Sequence, residues 1–259
     1  MFYDVIFAAD HLAIAALESP DYATRADIHI VQAFRGQFFC APNVVNVVGV
    51  SSINEDVAFF ELRDQIVTLA ITPGAPIDED LLGQQLEMGR TPVREAIKRL
   101  ALENLVTVFP RRGTFASEIN ITDLNHISDV RFVLEGHAAL RAAERVNTAQ
   151  REELEALLLE LGQSKGSDDQ EALMTLDASV HRFIYRCTGN PYLEETLTRY
   201  FNLSLRIWHL VIDRLPHLFA RVHEHDEVLR AIAAGEGELA RDVLCEHIAI
   251  FEQEIRTVL

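Results

Sequence analysis

Leu81-Leu-Gly-Gln-Gln-Leu-Glu-Met-Gly-Arg-Thr-Pro-Val-Arg-Glu-Ala-Ile-Lys-Arg-Leu100 is the stretch on which the reading of this chain turns. Leu81, Leu82 and Leu86 are spaced as the inner face of a short helix that Asp78 can cap. Glu87-Met88-Gly89 makes a tight connection to a second helix. There Thr91 is placed as the N-cap, Pro92 suits the first helical position, and Val93, Ile97 and Leu100 form the inner face.

The flanks complete a unit. Upstream, Ser52 and Glu55 have capping-box spacing, Phe59, Leu62, Ile66 and Leu69 follow at helical intervals, and Pro73-Gly74 ends that helix. Downstream, Val106-Thr-Val-Phe109 and Thr114-Phe-Ala116 flank Pro110-Arg-Arg-Gly113 and read as a hairpin. Helix, helix, short turn, helix and hairpin predict a winged helix-turn-helix over residues 52–118, with a small β-hairpin wing. In that arrangement the third helix enters the major groove by its N-terminal end, and the hairpin tip reaches the neighbouring backbone or groove.

Charge tests this reading. The 259-residue chain carries 23 basic and 40 acidic side chains, a formal charge of −17. Taken whole, that argues against a nucleic-acid binder, because phosphate is neutralised by Lys and Arg. The acid is unevenly spread: −4 over residues 1–55, −3 over 56–120 and −10 over 121–259. Residues 90–112 hold Arg90, Arg94, Lys98, Arg99, Arg111 and Arg112 against Glu95 and Glu103, a local +4. This concentrated basic patch falls where the docking geometry needs it.

Residues 122–257 read as an all-α antiparallel bundle. Six helices are predicted, over 122–146, 148–161, 168–187, 191–213, 216–234 and 237–257, making the whole chain mainly α. Residues 1–51 form an N-terminal extension, with a helical pattern at Asp10–Leu17 and a strand-like run at Val44–Val50. No run of 18 uncharged apolar residues exists to span a membrane. Cys40, Cys187 and Cys245 are widely spaced and suit a reducing compartment. The N-terminus has no charged start of a secretory signal, so a cytoplasmic location is expected.

The apolar stripes of the bundle are interrupted. Leu173, Leu176, Val180 and Ile184 define the inner face of the third helix, where Asp177 and His181, four apart, converge. His225 sits within Leu218, Val222, Leu229 and Ile232, and His247 lies between Val243 and Ile250. One inward histidine is usually a satisfied core residue. Three, with a carboxylate, on three helices of one bundle would be costly to bury unpaired, and one shared divalent cation satisfies them all. Imidazole with carboxylate suits Zn first, or Ni, Mn, Fe or Co, rather than Ca or Mg. Arg131 interrupts Leu124, Ile127, Leu134 and Ala138. It can pair internally with Glu135, or serve as a fork for a small carboxylate near the metal. Arg206 is a weaker candidate of the same kind. His209, His217 and His223 lie off these stripes.

These residues resemble the GntR-type bacterial transcription regulators of the FadR group, with the FCD effector domain. The DNA-binding signature runs through Pro73-Gly74, Leu82-Gly-Gln-Gln-Leu86, Arg90-Thr-Pro-Val-Arg-Glu-Ala-Ile97, Arg99-Leu100, Glu103-Asn-Leu-Val106 and Arg112-Gly113. The effector signature runs through Arg131-Phe-Val-Leu-Glu135, Ala142-Ala143, Asp177-Ala-Ser-Val-His181, Gly189-Asn190, Glu224-His225 and His247. The resemblance covers about residues 56–255. It implies that Arg90, Thr91 and Arg94 contact operator DNA, with Arg112 and Gly113 at the wing tip. It also implies that Asp177, His181, His225 and His247 hold a metal. A homodimer on a pseudo-palindromic operator, most often a repressor, and an organic-acid effector near the metal and Arg131 follow from it. Two departures stand out. Glu87-Met88-Gly89 replaces the usual Gly-Val-Ser, and Asp80 stands where some relatives carry a basic residue. Two other readings of the His and Asp set are a metal-dependent hydrolase or lyase, in which the ion activates water, and a sensor of the metal itself.

Overall fold

The computed structural model describes residues 50–259 apart from 168, 216 and 217, so the expectations for the N-terminal extension, Cys40 and His217 lie outside the described residues. The first part is α1 (Val50–Val67), β1 (Pro76–Ile77), α2 (Glu79–Gln85), α3 (Arg90–Leu102), β2 (Val106–Phe109) and β3 (Gly113–Ala116). Ala58, Phe59, Leu62 and Ile66 of α1 recur every three or four residues and are buried, as a core-facing helical stripe requires. They share a core with Leu82, Val93, Ala96, Ile97 and Leu100. Ser52 lies inside α1 rather than ahead of it as a cap.

Asp78 caps α2, its Oδ1 accepting from the amides of Asp80 and Leu81. Helix α3 starts one residue before the expected cap. Gly89 is its N-cap, without a side chain to accept a hydrogen bond, and Thr91 is already helical. Glu87 closes the preceding turn with φ of 53°, in the left-handed region. That conformation suits glycine and costs an L-residue about 1–2 kcal/mol.

The hairpin is antiparallel, with Val106 opposite Ala116 and Phe109 opposite Gly113. A third strand, not foreseen from the sequence, pairs Pro76 with Phe115 and Ile77 with Thr114, so the sheet order is β1-β3-β2. Two residues carry no readable alternation, and proline at an edge sacrifices no ladder donor.

The second part is α4 (Asp123–Arg145), α5 (Thr148–Gln163), α6 (Gln170–Cys187), α7 (Pro191–His209), a 3₁₀ turn (Ile212–Arg214), α8 (Leu218–His223), α9 (His225–Ala234) and α10 (Gly237–Val258). Local chemistry sets the ends. Asn147 and Gln150 form a capping box for α5, Asp169 caps α6, and Asn190 with Pro191 starts α7. Gly235 stops α9 with φ of 76°. Helix α4 packs against α6, α7, α9 and α10 and forms the axis of the bundle. Its approach to α10 is close: a Cβ on Gly136 would lie 2.5 Å from Cys245 Sγ.

Two expected spans change. Helix α7 ends at His209, and the helix expected over 216–234 is broken at Glu224 into α8 and α9. On α10 the buried face is Ala240, Leu244, His247, Ile248, Phe251 and Ile255, with Val243 and Ile250 at its margin. Among the described residues no helix is long and apolar enough to cross a membrane.

Candidate metal centre and nucleic-acid interface

Asp177, His181, His225 and His247 come together from α6, α9 and α10. All four are buried, and one ligand atom from each lies within 4.8 Å of the others. The orientation of each imidazole follows from what its second nitrogen touches. His181 Nδ1 lies 2.6 Å from Glu135 Oε2, His225 Nδ1 is 3.0 Å from the Val222 carbonyl, and His247 Nδ1 is 3.0 Å from Glu224 Oε2. A carbonyl can only accept, and so can an ionised carboxylate, so each Nδ1 donates its proton. In a neutral ring each Nε2 then keeps a lone pair.

His181 Nε2 and His225 Nε2 face each other at 3.1 Å. Beside them Asp177 Oδ2 is buried with no hydrogen-bond partner among the described residues. Three ring lone pairs and an orphaned carboxylate oxygen with no proton among them repel one another, whereas a cation satisfies all four. The donor set therefore fits a divalent transition metal.

The electrostatics agree. Burial pushes the Asp177 carboxyl up, only partly offset by the neighbouring His181 and Arg131. Burial, then the neighbouring histidines, drives His225 well below its usual value, and burial lowers His247 to about 3. Burial would also raise Glu135, yet Arg131 and His181 hold it down to about 2. A permanent carboxylate thus grips His181 from behind, a role for Glu135 that its place next to Arg131 in sequence does not suggest.

Of the two readings of Arg131, the internal pair is the one observed. Its Nε donates to Glu135 Oε1 at 2.5 Å, and both side chains are buried. The guanidinium lies 5.0 Å from the centre of the Phe201 ring and 4.9 Å from that of Trp208. Phe201 also packs on His181, with centroids 4.7 Å apart. Arg206, also on α7, is expected to lie near the metal like Arg131, but the structure places it elsewhere: its Nη2 donates to the Ser117 carbonyl at 2.6 Å, just after β3. The reason is helical phase: Arg206 is five residues from Phe201, so the two project in different directions. His223 meets the Leu161 carbonyl at 2.7 Å.

In the first part, Arg90, Thr91 and Arg94 occupy the N-terminal turns of α3 and are exposed. Arg90 Nε is 2.7 Å from Asp80 Oδ1, and Arg94 Nε is 2.8 Å from Glu79 Oε2. At the hairpin tip, Arg111 has φ of 63° and Gly113 φ of 108°. Arg112 lies 5.5 Å from the Phe109 ring centre. Basic side chains thus stand at the exposed start of α3 and at the hairpin tip. Asp80 stands out in the sequence, but its pairing with Arg90 and that of Glu79 with Arg94 do not, because ten and fifteen residues separate the members of each pair.

Comparison with known proteins agrees with both parts. Residues 55–116 match the model of bacterial regulatory proteins of the gntR family, and residues 126–249 match the FCD domain. The chain is 30% identical over 207 residues to the transcriptional regulator McbR of Escherichia coli K12, covering 75% of this chain and 90% of McbR. It is also 30% identical over 199 residues to a helix-turn-helix regulator from an unstable DNA locus of Streptomyces ambofaciens, covering 75% and 82%. The solved structure of E. coli McbR superposes with a TM-score of 0.70 at 25% identity, covering 79% of this chain and 97% of that one. The chain belongs to the GntR family of DNA-binding transcriptional regulators and carries an FCD domain after its helix-turn-helix.

Proposed function

We propose that this regulator is a metal-containing, ligand-responsive repressor. In this reading residues 52–118 bind one half of a pseudo-palindromic operator through Arg90, Thr91, Arg94, Arg112 and Gly113. Residues 122–257 hold the ligand and pair two copies of the chain; Phe132 and Val133, exposed on α4, offer apolar area for a second copy. Asp177, His181, His225 and His247 hold a divalent transition metal, with Zn the first expectation. When bound, the metal would offer open positions to the carboxylate of a small organic acid. Glu135, Val222 and Glu224 orient the three imidazoles, and Arg131 supplies positive charge beside the same cluster.

The observation that carries this reading is the convergence of three buried histidines on Asp177, whose Oδ2 has no hydrogen-bond partner among the described residues, with two of the imidazoles meeting Nε2 to Nε2. An acid that favours one bundle geometry changes the spacing of paired recognition helices, and so operator affinity. Coupling of about 1–3 kcal/mol changes affinity roughly 5- to 150-fold.

The test is operator binding by the purified, metal-analysed protein against a panel of small carboxylates. Release by one acid, abolished in His225→Ala together with the metal, supports the reading. Operator binding that follows free metal and ignores every acid would replace the effector with the metal itself.

A further inference from the structure

A cavity of about 850 Å³ lies between the wing and the helical part, apart from the histidine cluster. Its apolar wall includes Phe115 of β3, Ile127 and Val130 of α4 and Leu203 of α7, and Arg206 lines it. Arg206 is only 2% exposed. One of its nitrogens is committed to the Ser117 carbonyl. Its Nε–H is buried with no hydrogen-bond partner among the described residues. A buried cation with an unmet donor is costly unless a ligand completes it. Glu118 is the acid that acts on it, through space, and burial still pulls the guanidinium down to about 10.

We infer that this junction is a second small-molecule site, which takes a monocarboxylate with an apolar body. The carboxylate pairs with the Arg206 guanidinium where this lines the cavity, a planar fork suited to carboxylate hydrogen bonds. The body lies along Ile127, Val130 and Leu203. Glu118 and Asp123 also face the cavity, opposed by Arg112 and His126. This mixed lining admits one negative charge and repels phosphate or a polycarboxylate. Because the walls belong to β3 as well as to α4 and α7, an occupant touches the wing and the bundle together. The site is independent of the metal reading.

Calorimetric titration of the full chain with benzoate and octanoate tests this. At least one should bind the wild type, and equally the metal-cluster variant His247→Ala. Arg206→Met should weaken it about tenfold or more, and inorganic phosphate should not compete. Arg206 also holds Ser117, so Val130→Trp provides a second variant: it fills the cavity, leaves Arg206 in place and should abolish binding. Neither acid binding at millimolar concentration overturns the site. So does binding that survives both variants, or binding lost only in His247→Ala, which would place the acid at the cluster.

Discussion

Arg94 Nε lies 2.8 Å from Glu79 Oε2, so an arginine proposed to contact DNA is already engaged by the helix in front of it. Arg90 and Asp80 repeat the arrangement. DNA must displace both acids. Arg94→Ala should weaken operator binding about tenfold or more while metal content stays unchanged. Glu79→Gln should strengthen binding about two- to fivefold, most clearly at low salt. Electrophoretic mobility shift across a salt series reads both; an Arg94→Ala protein with wild-type affinity would remove Arg94 from the interface.

Glu87 occupies a left-handed turn with φ of 53°, a conformation that favours glycine. Glu87→Gly relieves that conformation but adds freedom to the unfolded chain, for a net gain of about 0.5–1 kcal/mol. It also removes an acid close to the DNA-facing end of α3. The urea midpoint should rise, and operator affinity should not fall.

Glu135 is expected to matter to the metal without touching it. Glu135→Gln keeps the shape but removes the charge behind His181 Nδ1, and metal affinity should drop about 10- to 100-fold. Competition with a chromogenic chelator measures this, with circular dichroism confirming the fold. Unchanged affinity would show that His181 needs no anionic support.

Metal-free protein should be acid-sensitive. His247 is held at about 3 by burial, whereas an unfolded histidine titrates near 6.5. Between these values the unfolded chain binds a proton that the folded chain refuses, so stability falls as pH drops from about 6.5 toward 3. A single such group contributes about 1.4 kcal/mol per pH unit within that window. Chelator-treated wild type should lose denaturant resistance on acidification faster than His247→Gln; equal slopes would contradict a neutral buried imidazole.

Gly136 sets how closely α4 and α10 pack. Gly136→Ala gains about 1 kcal/mol of helix propensity, yet its new Cβ would sit 2.5 Å from Cys245 Sγ and 3.2 Å from Arg241 Cγ. Overpacking should win, for a net loss of about 1–2 kcal/mol. Adding Cys245→Ala should recover most of it, which a double-mutant cycle would reveal.

Much of this molecule could be read from spacing alone. Helix α3, the hairpin and the inward set of Asp177, His181, His225 and His247 are expressed in periodicity within single elements. What escaped depends on contacts between distant segments or on local breaks. Strand β1 is two residues long and is defined by its partner β3. The carboxylate of Glu135 reads in sequence as a neighbour for Arg131, four residues away, but its second oxygen is 46 residues from His181. The break at Glu224 leaves the apolar pattern of 218–232 intact, so periodicity shows one helix where there are two. Yet that break lets His225 turn its Nδ1 onto Val222, three residues back.

Helix α7 carries Phe201 against His181 and, five residues on, Arg206 against Ser117. At 1.5 Å per residue the two are about 7.5 Å apart along one axis. A helix held by its own hydrogen bonds scarcely stretches, so it behaves as a strut. Were this stretch of the helix to move as a rigid body, Phe201 and the Arg206 hold on the Ser117 carbonyl would move together.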